Sequence, residues 1–167
     1  RRLADVVQSL AAVQIEPDTV EVYSSEAATA AAAEAVGAGL GLIIACGGDG
    51  TIESVANAVV GTSATLGILP AGTRNNVARS LGIPMRLPEA VRALRTGRRQ
   101  AIGAGHAQVG DSERWFLETF TLGLFSAMFP HADAIQKGDL LRVRSLLASF
   151  LTAPQSRILI DVDDGDE

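Results

Sequence analysis

Leu40-Gly41-Leu42-Ile43-Ile44-Ala45-Cys46-Gly47-Gly48-Asp49-Gly50-Thr51 is the stretch from which the fold is read. From Leu40 to Cys46 the run is apolar and bounded by glycines, the mark of a central parallel strand buried on both faces. Ile52 to Val60 then has helical character, with Gly61 as its cap. Between strand and helix, Gly47, Gly48 and Gly50 permit positive φ angles and let backbone amides approach a polyphosphate without Cβ obstruction. The helix N-terminus adds its dipole and unpaired amides, which favour an anion there. Thr51 offers a hydroxyl to the same anion. Asp49 is the odd member, because a carboxylate beside phosphates is repelled unless it binds Mg²⁺ or takes a proton from an incoming hydroxyl. A Gly-rich run alone is weak evidence, since a tight turn between strand and helix looks the same.

A second turn at the same sheet edge strengthens the reading. Thr65 to Leu69 is a short buried strand ending at Pro70, and Pro70-Ala71-Gly72-Thr73 opens another helix. Upstream, Leu3 to Val13 repeats at helical spacing, Glu16-Pro17-Asp18 stops it, and Thr19 to Tyr23 alternates as a strand does. Ser24-Ser25-Glu26 opens an Ala-rich helix running to about Val36, closed by Gly37 and Gly39. The alternation predicts an α/β fold: a parallel sheet with helices on both faces and ligands beyond the carboxyl ends of the strands. We assign this nucleotide-binding domain to residues 1–97.

After Gly97 the pattern changes. Gln100 to Val109 and Arg114 to Leu122 alternate around a Gly110-Asp111-Ser112-Glu113 turn, which predicts a β-hairpin. A helix over about Gln136 to Leu151 and a strand over Arg157 to Val162 follow. Residues 98–167 therefore read as the beginning of a β-rich second lobe.

Composition excludes several classes. The chain has 167 residues, 47% hydrophobic and 20% charged, as globular domains do. No apolar run is long enough to cross a bilayer. A single cysteine, Cys46, forms no intrachain disulfide, is expected to be a small buried strand residue, and fits a cytoplasmic setting. Net charge is -5, against a dedicated nucleic-acid binder. Yet Arg74, Arg79, Arg86, Arg92, Arg95, Arg98 and Arg99 share one stretch with a single acid, Glu89. Such a cluster is a solvated helical face, or a patch that attracts anionic lipid headgroups. His106 and His131 have no partners at metal-ligand spacing, and no metal site is read from them.

Taken together, Gly47 to Thr51 and the run Ile68-Leu69-Pro70-Ala71-Gly72-Thr73-Arg74-Asn75-Asn76-Val77-Ala78-Arg79-Ser80-Leu81-Gly82-Ile83-Pro84 resemble the diacylglycerol kinase catalytic family, lipid kinases that include sphingosine kinases. The resemblance implies an ATP-dependent kinase that moves the γ-phosphate to a lipid hydroxyl, diacylglycerol-like or sphingoid, with Mg²⁺. It implies that Ser25, Gly47, Gly48, Asp49, Gly50, Thr51, Glu53, Ser54, Gly72, Thr73 and Asn75 contact the nucleotide. Asp49 would lie near the γ-phosphate, as base or as an orienting group beside a carboxylate further along the chain. A membrane lipid substrate further implies a cytoplasmic protein in peripheral contact with the membrane, and an oligomer is compatible.

Three departures from the family pattern stand out. The first strand with its Asn-Pro-x-Ser-Gly turn is missing and there is no initiator Met, so the N-terminus is read as incomplete. Glu53-Ser54 replaces Asn-Glu, shifting the acid by about a hundred degrees around the helix. Asn76 replaces an Asp, which leaves the metal ligands unassigned. Two other functions share parts of the pattern: an NAD kinase, which also has a GGDGT loop but not the run from Gly72 to Pro84, and a nucleotide-binding module without transfer activity.

Overall fold

The computed structural model describes residues 3–118. Five helices and four strands follow in the order α1 (Leu3–Ala11), α2 (Ser25–Gly37), β1 (Leu42–Gly47), α3 (Asp49–Val59), β2 (Thr65–Pro70), α4 (Asn76–Ser80), α5 (Leu87–Thr96), β3 (Gly105–Val109) and β4 (Ser112–Phe116). All lie in one compact unit, Arg1–Thr119.

Strands β1 and β2 pair in parallel, from Leu42 opposite Thr65 to Gly47 opposite Pro70. A parallel pair needs a crossover, and α3 supplies it. Because side chains alternate along a strand, β1 sends Ile43 and Ala45 to one face and Ile44 to the other. On the first face they meet Ala28 and Ala32 of α2, Ile52, Val55 and Val59 of α3, and Val77 and Ala78 of α4. On the second, Ile44 and Leu69 pack with Val6 and Leu10 of α1 and Ala90 and Val91 of α5. Helices thus cover both faces, as the sequence predicts for an α/β fold. Ile52 and Leu69 are fully buried, and each contributes roughly 1.5–3 kcal/mol through apolar burial. Leu69→Ala would open a cavity in the middle of the sheet at a cost of about 2–5 kcal/mol.

The helix ends follow local chemistry. Ser24 caps α2, its Oγ accepting from the Ala27 amide at 3.1 Å. Beyond its end, Gly39 takes the left-handed conformation (φ 80°) and lets the Leu40 amide reach back to Ala35. Gly61 (φ 75°) follows α3 in the same way, as expected.

Several expectations are corrected. Helix α3 begins at Asp49 instead of Ile52, so Gly50 and Thr51 are already helical. Segment 19–23 has no strand: Val22 packs on the core, but Val20 and Tyr23 are 70% and 90% exposed. Alternation alone makes no strand without a ladder partner, and β1 is paired only with β2 among the described residues. Strand β1 starts at Leu42 and is not buried on both faces, since Leu42 and Cys46 are exposed. Beyond α5, residues 100–104 are irregular and β3 starts at Gly105. The hairpin turn is the two-residue Gly110-Asp111, with Gly110 at φ 59° and Val109 opposite Ser112. Two-residue hairpin turns favour glycine for that geometry. The expected continuation of the second strand to Leu122, the helix over 136–151, the strand over 157–162 and His131 lie outside the described residues.

Candidate functional site

The carboxyl ends of β1 and β2 lie side by side, Gly47 opposite Pro70, and each strand leads directly into a Gly-containing turn. Gly48 is the N-cap of α3 and offers no side chain to the helix. The amides of Asp49 and Gly50 belong to the first turn, where a helix provides no acceptor for them. None of Gly47, Gly48 and Gly50 has a positive φ. Their value is therefore space and not the left-handed conformation expected from the sequence.

That space is used in two ways. A Cβ on Gly48 would stand 3.2 Å from the Gly72 Cα, and one on Gly72 would overlap the Gly48 Cα outright. The two turns touch backbone to backbone. Gly47 makes room for Thr51, whose side chain a Cβ at Gly47 would meet at 2.6 Å. Gly50, in contrast, has nothing within 4 Å of its Cβ position and faces open space.

Asp49 bridges the turns. Its Oδ1 accepts a hydrogen bond from the Val77 amide at 3.1 Å, in the first turn of α4. A carboxylate at a helix N-terminus satisfies an orphan donor and the helix dipole. The Asp49 charge thus has a structural partner, and the amide of α4 that might have met an anion is taken. The Val77 amide at this second helix start is therefore not open to an anion.

Asn75 holds the second turn. It sits in the left-handed region (φ 52°, ψ 47°), 8% exposed, as the N-cap of α4. Its Oδ1 accepts from the Gly72 amide at 2.9 Å and its Nδ2 donates to the Gly72 carbonyl at 2.8 Å. Asparagine tolerates this backbone because its short amide bonds locally.

The structure brings Gly47, Gly48, Asp49, Gly50, Thr51, Gly72 and Asn75 into one corner. Thr73 is exposed beside Gly72. Glu53 is exposed on α3. Ser54 is placed elsewhere: it is buried, donates to the Gly50 carbonyl at 2.8 Å, and its own carbonyl accepts from Thr29 of α2 at 3.0 Å. Ser25 lies exposed at the start of α2, and its hydrogen bond, from Thr29 Oγ1 to the Ser25 carbonyl, stays within that helix.

Two further residues, Glu118 near the start of α3 and Asn57 towards its end, are not found by sequence reasoning. Glu118 follows β4, with the Asn76 side chain in its neighbourhood. Burial first, and then the charges of Asp49 and Glu53, hold its carboxyl above the usual carboxylate range, although part of its surface stays exposed. Asn57 on α3 grips the backbone of Trp115 in β4 through both ends of its amide. An asparagine in mid-helix is a poor helix former, and that was the available signal.

His106 stacks on Trp115, ring centroids 4.4 Å apart, which accounts for it as a packed residue. Cys46 is exposed at the end of β1, not buried as expected. A cavity of about 980 Å³ runs along the outer edge of β2, lined by Leu66, Ile68, Ile83, Arg95, Arg98 and Trp115 among others. It includes none of the residues of the two Gly turns, so its size does not make it the nucleotide site; the backbone geometry of the turns is the better guide. Among the described residues no group of three or more His, Cys, Asp or Glu side chains is arranged to hold a metal unaided. No helix among them is long and apolar enough to cross a membrane.

A strand-turn-helix pair of this kind defines a class of α/β proteins with a ligand corner at the strand ends. Comparison with known proteins narrows it. The model of the diacylglycerol kinase catalytic domain matches residues 1–107, and the chain belongs to that family, whose named members are lipid kinases. A diacylglycerol kinase of Bacillus subtilis (strain 168) is 44% identical over 86 residues, covering 50% of this chain and 28% of its own length. A probable lipid kinase YegS-like of Pseudomonas putida is 42% identical over 122 residues, 72% of this chain and 38% of that protein. A diacylglycerol kinase crystal structure from Bacillus anthracis str. Sterne shares 31% identity at a TM-score of 0.51, covering 57% of this chain and 33% of that one. The chain thus spans well under half the length of these relatives.

Proposed function

We propose that this chain carries the nucleotide-binding part of an ATP-dependent lipid kinase. The observation that supports it most is the apposition of Gly48 and Gly72, tied by the Asp49–Val77 hydrogen bond. It leaves the Asp49 and Gly50 amides and the bare edge at Gly50 free to meet phosphate oxygens, in a corner where bulkier residues would intrude. Ser25, Glu53 and Thr73 border this corner in our reading. Residues 1–97 hold ATP, and the chain from residue 98 begins the acceptor lobe.

In the transfer, the oxygen of a lipid hydroxyl forms a bond to the γ-phosphorus, the bond from that phosphorus to the ADP oxygen breaks, and the hydroxyl proton passes to a carboxylate. Asp49 is the carboxylate of this corner that faces the phosphates, either taking that proton or orienting the γ-phosphate for a base further along the chain. Asp49 is the residue that would help to hold Mg²⁺, which, where bound, would supply charge neutralisation at the phosphates. Asp49 fits this role through its second carboxylate oxygen, the first being held by Val77. The lipid is membrane-embedded, so the enzyme works in peripheral contact with the cytoplasmic face of the membrane.

The test is transfer of radiolabelled γ-phosphate from ATP by the full-length protein to a panel of diacylglycerol-like and sphingoid lipids, with NAD in parallel. Labelled lipid is expected. Labelled NAD would replace the reading with an NAD kinase, and normal ATP binding without any transfer would make the chain a nucleotide-binding module.

A further inference from the structure

Arg95, Arg98 and Arg99 all line the cavity of about 980 Å³ along the outer edge of β2. All three are exposed, and none has an acidic partner among the described residues. Among the described residues that line the cavity there is no Asp or Glu. The remainder is mainly apolar, with Leu66 and Ile68 from β2, Ile83 after α4, Ile102 ahead of the hairpin, and Leu117 just beyond β4. Ile102 is 46% exposed although it is apolar. A guanidinium stays protonated at any physiological pH, so three positive charges border an apolar trough that offers them no counter-charge.

The register places this trough away from the phosphate corner. A Cβ on Gly67 would meet the Leu94 side chain at 2.8 Å, so the last turn of α5 passes the middle of β2. Past that turn, Arg98 and Arg99 line the cavity together with Thr62 and Thr65, at the amino end of the strand. The phosphate corner lies at the other end, beside Pro70, five strand residues or about 16 Å away. A ligand in the trough therefore meets neither Asp49 nor the first amides of α3.

Apolar length with fixed positive charge beside it is complementary to a lipid with an anionic head. Acyl chains would take Leu66, Ile83 and Ile102 out of water, and the guanidinium forks match phosphate oxygens bidentately. The volume is that of a site for a single small molecule. A peptide strand would bond the edge of β2, unpaired among the described residues, through its backbone and would have no use for three arginines.

We propose that the cavity along the outer edge of β2 is a second lipid site, which takes a phosphate-headed lipid with its acyl chains in the trough and its headgroup on Arg98 and Arg99. It is separate from the phosphate corner and does not rest on the kinase reading.

The test is isothermal titration of the full-length protein with dioctanoyl phosphatidic acid kept monomeric, beside dihexanoyl phosphatidic acid and inorganic phosphate. Arg98→Gln with Arg99→Gln should weaken dioctanoyl phosphatidic acid by about tenfold or more and leave the melting temperature unchanged, since both side chains are exposed. Ile102→Asn should weaken it in the same direction. The dihexanoyl lipid lacks four methylene groups, each worth roughly fourfold in affinity when buried, and should bind at least about tenfold more weakly. Equal affinity in wild type and double-arginine variant, equal affinity for the two chain lengths, or displacement of the lipid by millimolar inorganic phosphate would each overturn the proposal. So would binding of an acidic peptide of alternating Glu and Val in place of the lipid, which would make the trough a strand-binding edge. With dioctanoylglycerol as acceptor in the transfer assay, the double-arginine variant should keep the wild-type KM. A rise in that KM would make the cavity the acceptor pocket, and the second site would fall. If the protein phosphorylates no lipid, the kinase reading fails and the titrations still decide this site.

Discussion

Gly48 lies against Gly72 with no side chain between them, so the two turns that end β1 and β2 touch through their backbones. Gly72→Ala puts a methyl onto the Gly48 Cα and within 3.0 Å of Asn75 Oδ1. Neither partner has a flexible end that can yield, and the change is expected to cost about 1–3 kcal/mol by overpacking and to weaken ATP binding. Gly50→Ala is its counterpart: open space and a helical backbone predict unchanged or raised thermal stability. ATP affinity should nonetheless fall, because the methyl occupies the face offered to phosphate. Isothermal titration beside thermal melts checks both; unchanged affinity in Gly50→Ala would place the phosphates elsewhere.

Asp49→Asn keeps an oxygen that can accept from the Val77 amide, and should leave the melting temperature close to that of the wild type. Transfer should drop by about a hundredfold to ten-thousandfold, the range for loss of a catalytic carboxylate. Asp49→Ala also loses the acceptor at the start of α4, adding about 1 kcal/mol of destabilisation. Wild-type turnover in Asp49→Asn would reduce Asp49 to a capping residue.

Asn75→Ala removes both partners of the Gly72 backbone groups and forces alanine into the left-handed region. A loss of about 2–4 kcal/mol is expected in urea denaturation. Asn75→Gly relieves the backbone strain and should recover about 1 kcal/mol of it. Equal losses in the two variants would mean that the left-handed backbone costs alanine nothing here.

Arg92 and Arg95 lie exposed on α5, with Arg98 and Arg99 just beyond it. Each basic residue near an anionic bilayer contributes about 1 kcal/mol. Reversing two, as in Arg92→Glu with Arg95→Glu, should lower co-sedimentation of the full-length protein with anionic vesicles by tenfold or more and leave neutral vesicles unaffected. Salt should weaken the wild-type binding in the same assay. Indifference to lipid charge would return the cluster to an ordinary solvated face.

The fold was legible where hydrophobic periodicity and glycine punctuation agreed. Leu42 to Gly47, the helix after it and the strand Thr65–Pro70 each carry a run, a period and a stop signal, and each is found. Thr19 to Tyr23 has a strand's alternation without a neighbour to pair with, and pairing is a property of the fold and not of the segment. At the site, Gly48 and Gly72 could be read as glycines in turns, but their mutual contact depends on the parallel register. Glu118 carried no local signal, and Asn57, a poor helix former within α3, is tied to a strand 58 residues away. Ser54, which the family resemblance places among the binding residues, is turned by the helical rotation into a buried contact with α2, and that rotation depends on where α3 begins.

Because Gly47 is paired with Pro70, the distance from each strand end to its turn is counted in residues. The corner therefore restricts length more severely than identity. At Leu66, Ile68 and Leu69 one apolar residue of similar size can replace another, but a residue inserted or deleted within 65–72 shifts Gly72 by about 3.3 Å and exchanges the two faces of β2. At 61–64, at the opposite end of the sheet, the chain is free to lengthen, since a loop there adds only a slowly growing closure entropy. Insertions compatible with this fold are accordingly confined to one rim of the sheet, and the rim that carries the glycines is fixed in its spacing.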